Sequence, residues 1–136
     1  MKKIIIVDDS EYKRRDIINY MCSIFGKEVE FLECGYRNIA IQEMMKMEDD
    51  IKNNPSEYLL ILDMCFPIME DSYPEKDEGL HFLFYLTHRK INIATIVCSS
   101  EDTFFNEVIE YTNVLGTVKY DSSVYQKSLF EKLLTE

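Results

Sequence analysis

Apolar residues fall into two patterns along the chain: short unbroken runs, and longer stretches at helical spacing. IIIV (4–7) is a continuous β-branched run, as expected for a strand buried on both faces. Ser10 then offers an N-cap, Ile17, Ile18, Met21, Cys22 and Phe25 recur with helical periodicity, and Gly26 supplies a stop. VEFLEC (29–34) alternates more and reads as a strand nearer an edge, closed by Gly35. A helix follows over about 38–52, with Met44, Met45 and Ile51 facing inward, and Pro55 prevents its continuation. YLLIL (58–62) is a further buried strand and runs directly into Asp63. After a long polar loop, GLHFLFYLTHRK begins a third helix at Gly79. IATIVC (93–98) predicts a fourth strand, and 102–112 a fourth helix behind the cap-rich SSED. VLGTVKY (114–120) predicts a fifth strand, and SVYQKSLFEKLL (123–134) an amphipathic last helix.

Five successive β-then-α units predict one α/β domain, a parallel sheet with helices on both faces, because parallel neighbours need helical crossovers. No Pro/Gly/Ser-rich linker, repeat or low-complexity tract divides the chain. In such sheets ligands gather beyond the carboxyl ends of the strands. There the sequence places Asp8 and Asp9 after the first strand, Asp63 after the third, Ser99 after the fourth and Lys119 in the fifth. Three buried carboxylates repel one another unless a cation sits among them, and Mg²⁺ suits a site of few carboxylates plus water. An ammonium and a hydroxyl at the same rim suit a phosphoryl group carried by one carboxylate.

Composition sharpens this picture. The 136 residues carry 15 Lys and Arg against 25 Asp and Glu, a formal net charge of −10. That sign argues against binding nucleic acid through phosphate neutralisation. No apolar run approaches the roughly 20 residues of a membrane helix, and no signal-peptide pattern follows Met1, so a cytoplasmic protein without membrane contact is expected. Cys22, Cys34, Cys65 and Cys98 lack CxxC spacing and a clustered histidine, which reads as reduced thiols. His81 and His88 read as surface residues of the third helix.

In order, IIIVDDS, LLILDMCFP, IVCSS and TVKY resemble the receiver domain of two-component response regulators, over about residues 2–134. The resemblance implies a flavodoxin-like sheet of strand order 2-1-3-4-5. It also implies that Asp63 accepts a phosphoryl group from a histidine kinase or phosphotransfer protein. Asp9 would then ligate Mg²⁺ directly, Asp8 mainly through water, and Asp63 and the Cys65 carbonyl would complete the protein ligands. Ser99 would hydrogen-bond the phosphoryl oxygens and Lys119 would pair with them. Pro67 matches the family's loop proline, while Cys65 and Glu101 hold positions that tune phosphate lifetime. Glu101 is equally explained as a first-turn acid favouring the helix dipole. The only catalysis implied is the domain's own phosphorylation and dephosphorylation.

Three departures from the family pattern stand out. The glycine usual eight positions after the acceptor here follows by sixteen, as Gly79, and EDSYPEKDE (70–78) inserts five acids and one Lys. That insertion is a solvated loop or, more sharply, a lid or partner contact beside Asp63. Second, Gly116 and Tyr120 stand where an aromatic and a proline are usual around Lys119. The usual switching relay cannot run unchanged, and a cis peptide after Lys119 would cost about 3–4 kcal/mol. Third, the chain ends just past the last helix, which reads as a stand-alone receiver with no output domain, or as the first domain of a trimmed larger protein. Its output would be a contact with a downstream protein through the fourth helix and fifth strand, where Phe104, Phe105, Tyr111 and Tyr125 lie.

Two readings follow: a switching phospho-acceptor, or a receiver-like interaction module that does not switch. A haloacid-dehalogenase-like phosphatase would want DxD after the first strand, which Asp8-Asp9-Ser10 does not match. A flavodoxin-like carrier would need a loop of hydroxyls and amides where DDSEYK repels anions.

Overall fold

A computed structural model describes residues 3–121 and 126–135. Its elements in chain order are β1 (Lys3–Val7), α1 (Glu11–Phe25), β2 (Glu30–Cys34), α2 (Arg37–Asn53), β3 (Tyr58–Leu62), α3 (Glu78–His88), β4 (Ala94–Ser99), α4 (Phe105–Val108), β5 (Val114–Lys119) and α5 (Gln126–Thr135). The strands form one parallel sheet in the order β2-β1-β3-β4-β5, as the resemblance implies. The first residues of the last expected helix, and with them Tyr125, lie outside the described residues.

Alternate residues of each central strand feed two cores. Ile5, Val7, Leu60, Leu62 and Val97 pack with Met44 of α2 and with Phe82 and Leu86 of α3 on one face. Ile4, Ile6, Leu59, Ile61, Ile96 and Cys98 pack with Ile17 and Met21 of α1 and Phe130 of α5 on the other. β3 is buried at all five positions, which is why YLLIL has no polar alternation. Burial of each such aliphatic side chain contributes about 2 kcal/mol, so the centre of the sheet is the rigid part of the molecule.

Local signals act as expected at α1. The Ser10 hydroxyl accepts from Lys13 N at 3.2 Å, and Gly26 closes the helix at φ 85°, where a side chain would be strained. Elsewhere the structure corrects the sequence. The helix expected over 102–112 shrinks to four residues. Thr103, Phe104, Phe105, Val108, Ile109, Tyr111 and Thr112 are weak helix formers, and the surrounding segment is held by turns such as Glu107 N to Phe104 O and Tyr111 N to Val108 O. Met44 and Ile51 are fully buried, whereas Met45, next to Met44 and about 100° round the helix, is 58% exposed.

The acidic insertion is closed at its base. Phe66 and Glu75 form an antiparallel bridge, with Glu75 N donating to Phe66 O at 3.1 Å. Arg37 N and Asn38 N, at the start of α2, donate to the Pro67 and Ile68 carbonyls. Glu78 is buried at the far end, where its carboxylate meets Arg37 Nη1 at 3.4 Å and His81 Nδ1 at 3.2 Å. Gly79 therefore lands against the end of β3 despite the longer loop. Its N–H donates to Met64 O at 3.0 Å, and a Cβ there would stand 2.6 Å from Asp63 O.

Candidate functional site

The hydrogen-bond ladder of the central strands continues one residue past their ends and sets two acids side by side. Asp8 N donates to Cys34 O and Asp63 N to Val7 O, each at 2.9 Å. Asp8 Oδ1 accepts from Ser10 N at 2.9 Å, and Asp63 Oδ1 from Met64 N at 2.8 Å, so both carboxylates are aimed by their own loops. With Asp9 they form a trio whose nearest oxygens all lie within 4.8 Å of one another. Asp8 and Asp63 are buried, and Asp9 faces solvent. The trio opens into a pocket of about 350 Å³ that Cys65, Pro74, Glu101 and Tyr120 also line.

Lys13, from the first turn of α1, reaches this cluster, which the sequence reading did not anticipate. Its ammonium stands 2.6 Å from Asp8 Oδ2 and 3.3 Å from Asp63 Oδ1, and donates to the Cys98 carbonyl at 2.6 Å. The Tyr120 ring lies over it, with the centroid 5.4 Å away. The side chain is only 6% exposed. The signal was present: Lys13, Ile17 and Met21 repeat at i, i+4, so Lys13 extends the buried stripe of α1 toward the acids. Arg14 follows it and donates to the Asp8 carbonyl at 2.6 Å.

Burial raises the Asp8 carboxyl to about 6, opposed by the Lys13 charge and assisted by Asp63. Burial and the Asp63 charge likewise raise Asp9. Burial works to lower the Lys13 ammonium, but Asp8 and Asp63 outweigh it and hold Lys13 charged above the usual lysine range. Burial pushes the Cys98 thiol up to about 12, and Cys65 is raised too; both stand as free thiols, with Cys22 and Cys34.

The other expected site residues sit differently. Ser99 is buried at the end of β4, opposite Lys119 in the register, and its hydroxyl accepts from Glu101 N at 3.2 Å. The Lys119 side chain is 63% exposed and pairs with Asp102 at 3.3 Å. Among the described residues, Lys13 is the cation within 4 Å of Asp63. Tyr120 N donates to Ser99 O, and the Tyr120 hydroxyl donates to Asp16 of α1 at 2.5 Å. At Gly116 a Cβ would meet Leu133 Cδ2 of α5 at 2.5 Å, so Leu133 fills the space an aromatic would need. Phe104, Phe105 and Tyr111 are partly buried against the α2–α3 core. His81 pairs with Asp77 and Glu78, and His88 stacks on Phe84.

No family model and no curated protein matches the sequence. Solved structures do match in shape. The DNA-bound response regulator RcsB of Salmonella enterica serovar Typhimurium, with phosphomimetic BeF3⁻, superposes with a TM-score of 0.69 at 16% identity, covering 97% of this chain and 65% of that one. The isolated RcsB REC domain with BeF3⁻ gives 0.68 at 16% identity, covering 98% and 87%. The response regulator TrrA of Thermotoga maritima, in complex with Mg²⁺-BeF, gives 0.62 at 18% identity, covering 98% and 99%. The chain thus spans about two thirds of the DNA-bound RcsB chain.

Proposed function

We propose that this chain, whose fold is that of response regulator receiver domains, works as one: a phospho-acceptor in two-component signalling that takes a phosphoryl group on Asp63. The observation that carries this reading is the Asp8, Asp9 and Asp63 trio, held at adjacent strand ends with Asp63 at the wall of an open pocket.

The trio fits a hard divalent cation, since its three carboxylates supply hard oxygen donors that converge within 4.8 Å. Asp8, Asp9, Asp63 and the Cys65 carbonyl are the groups that would hold Mg²⁺. When bound, it supplies positive charge against the phosphoryl oxygens and lowers repulsion among the carboxylates. The chain's own part is positional. The Met64 N–H fixes the rotamer of Asp63, so one carboxylate oxygen is presented to a donor. Gly79 lets α3 pack against the acceptor loop. Ser99 and its neighbour Ser100 stand at the rim as small donors, with Ser100 on the pocket wall. The donor is a histidine kinase or phosphotransfer protein, and the output is an altered contact with a downstream protein. The chain's catalysis is confined to its own phosphorylation and dephosphorylation, in the cytoplasm. The acidic surface disfavours direct nucleic-acid contact, and no described helix is long and apolar enough to cross a membrane.

A second reading, an interaction module that does not switch, is favoured by Leu133 occupying the space beside Gly116 and by the four-residue α4. Beryllofluoride with Mg²⁺, followed by NMR, separates the two. Phospho-acceptance predicts a bound fluoride signal that Asp63→Asn removes, and switching predicts that shifts spread to β5 and α5. A bound signal with shifts confined to the pocket supports the static module. No bound signal in folded protein contradicts phospho-acceptance.

A further inference from the structure

The resemblance gives Lys119 the role of pairing with the phosphoryl group, but the two lysines occupy opposite situations. Lys119 is mostly exposed and engaged with Asp102 on the surface. Lys13 is buried, touches Asp63 Oδ1 at 3.3 Å, and is fixed by three further partners: Asp8, the Cys98 carbonyl and the face of Tyr120. A buried ammonium persists only where such partners replace its water, and this one is placed against the candidate acceptor carboxylate.

We propose that Lys13 is a catalytic ammonium of this site, neutralising charge on Asp63 and pairing with the phosphoryl group it receives. The inference rests on the reading of Asp63 as acceptor and names the residue that serves it. In the transfer an Asp63 carboxylate oxygen forms a bond to phosphorus. The donor's bond to phosphorus breaks, and the leaving group keeps that electron pair. No proton is exchanged at Asp63, and Lys13 stays an ammonium throughout.

Tyr120 is part of the same arrangement. Its hydroxyl is anchored on Asp16 and its ring covers the ammonium, so the residue that stands where a proline is usual holds Lys13 in place. Tyr120 is therefore a positioning residue. Before any phosphate arrives, Lys13 balances one of the three carboxylate charges. It therefore competes with a divalent cation for Asp8 and Asp63.

The test compares wild type with Lys13→Met, Lys13→Arg and Lys119→Met in the full chain. Phosphoryl incorporation from acetyl phosphate with Mg²⁺ is followed by intact-protein mass spectrometry. Both Lys13 variants are expected to label at least about tenfold more slowly than wild type. Lys13→Arg keeps the positive charge and so guards against a folding failure of Lys13→Met. A second readout needs no phosphate: Mg²⁺ alone, titrated by tyrosine fluorescence, is expected to bind Lys13→Met about tenfold tighter than wild type and Lys119→Met unchanged. Lys13 variants that label as fast as wild type overturn the inference and leave the acceptor reading standing. Mg²⁺ affinity unaltered in folded Lys13→Met also overturns it. A wild type that takes no label overturns the acceptor reading and, with it, the role given to Lys13.

Discussion

The two halves of the strand-end rim are built differently. At the β1–β3 half, Asp8 and Asp63 continue buried central strands, each carboxylate takes a backbone N–H from its own loop, and a buried lysine lies between them. At the β4–β5 half, Lys119 faces solvent, α4 is four residues long, and Leu133 fills the place beside Gly116. The first half depends on the interior of the sheet, where a parallel strand has neighbours on both sides. The second lies along the edge strand, where side chains are exchanged at lower cost. The proposed acceptor chemistry thus sits on the interior half of the rim, and the departures from the receiver pattern sit on the edge half.

The largest effect that would break this contrast is at the acceptor. Asp63→Asn should lower phosphoryl incorporation at least about a hundredfold, measured by intact mass, since the nucleophile is gone. Next is Lys13→Met in the presence of chelator. It leaves buried Asp8 without its ion-pair partner and should cost about 3–5 kcal/mol in urea unfolding, part of which Mg²⁺ should restore. Lys119→Met, at the exposed pair with Asp102, should stay within about 1 kcal/mol of wild type.

The pH dependence sharpens the electrostatic side of the comparison. Asp8 rises from 3.8 to about 6 in the folded chain, so between those values the native state holds more protons than the unfolded one. Stability of the metal-free protein should therefore fall as pH rises from about 4 through about 6, by on the order of 3 kcal/mol from this group. Denaturation midpoints in chelator across that range check the sign, and a rise would contradict it.

Two glycines then compare the halves by packing. Gly79→Ala drives a Cβ against the Asp63 carbonyl and the Met64 backbone, which cannot yield, and should cost about 2 kcal/mol and slow labelling. Gly116→Ala meets the flexible end of Leu133 and should cost about 1 kcal/mol. Adding Leu133→Ala should relieve that clash, giving a nonadditive double-mutant cycle in urea unfolding.

Most of the fold was legible because β1 and β3 are unbroken β-branched and leucine runs that end in acids. Ser10 and Gly26 marked α1 for the same reason that they work: one accepts a helix N–H, the other tolerates positive φ. α4 was misjudged because cap residues were present while the residues behind them form helices poorly. The acidic trio was legible from strand ends alone, since the ladder leaves no freedom in where Asp8 and Asp63 fall. Lys13 was missed because a lysine in a first helical turn ordinarily faces water. Its place on the Ile17–Met21 stripe became meaningful only once α1 was seen packed over the ends of β1, β3 and β4. The environment of Lys119 was equally hidden, because a lysine ending an edge strand can turn to either side of the rim.

The buried half of the rim is proposed as a working phosphoryl acceptor. Intact-protein mass spectrometry after incubation with acetyl phosphate tests it most directly, with Mg²⁺ and with chelator, in wild type and Asp63→Asn. A single phosphoryl group is expected on wild type with Mg²⁺, and none in chelator or in Asp63→Asn. Folded wild type that remains unmodified with Mg²⁺, or Asp63→Asn that is modified equally, would contradict it.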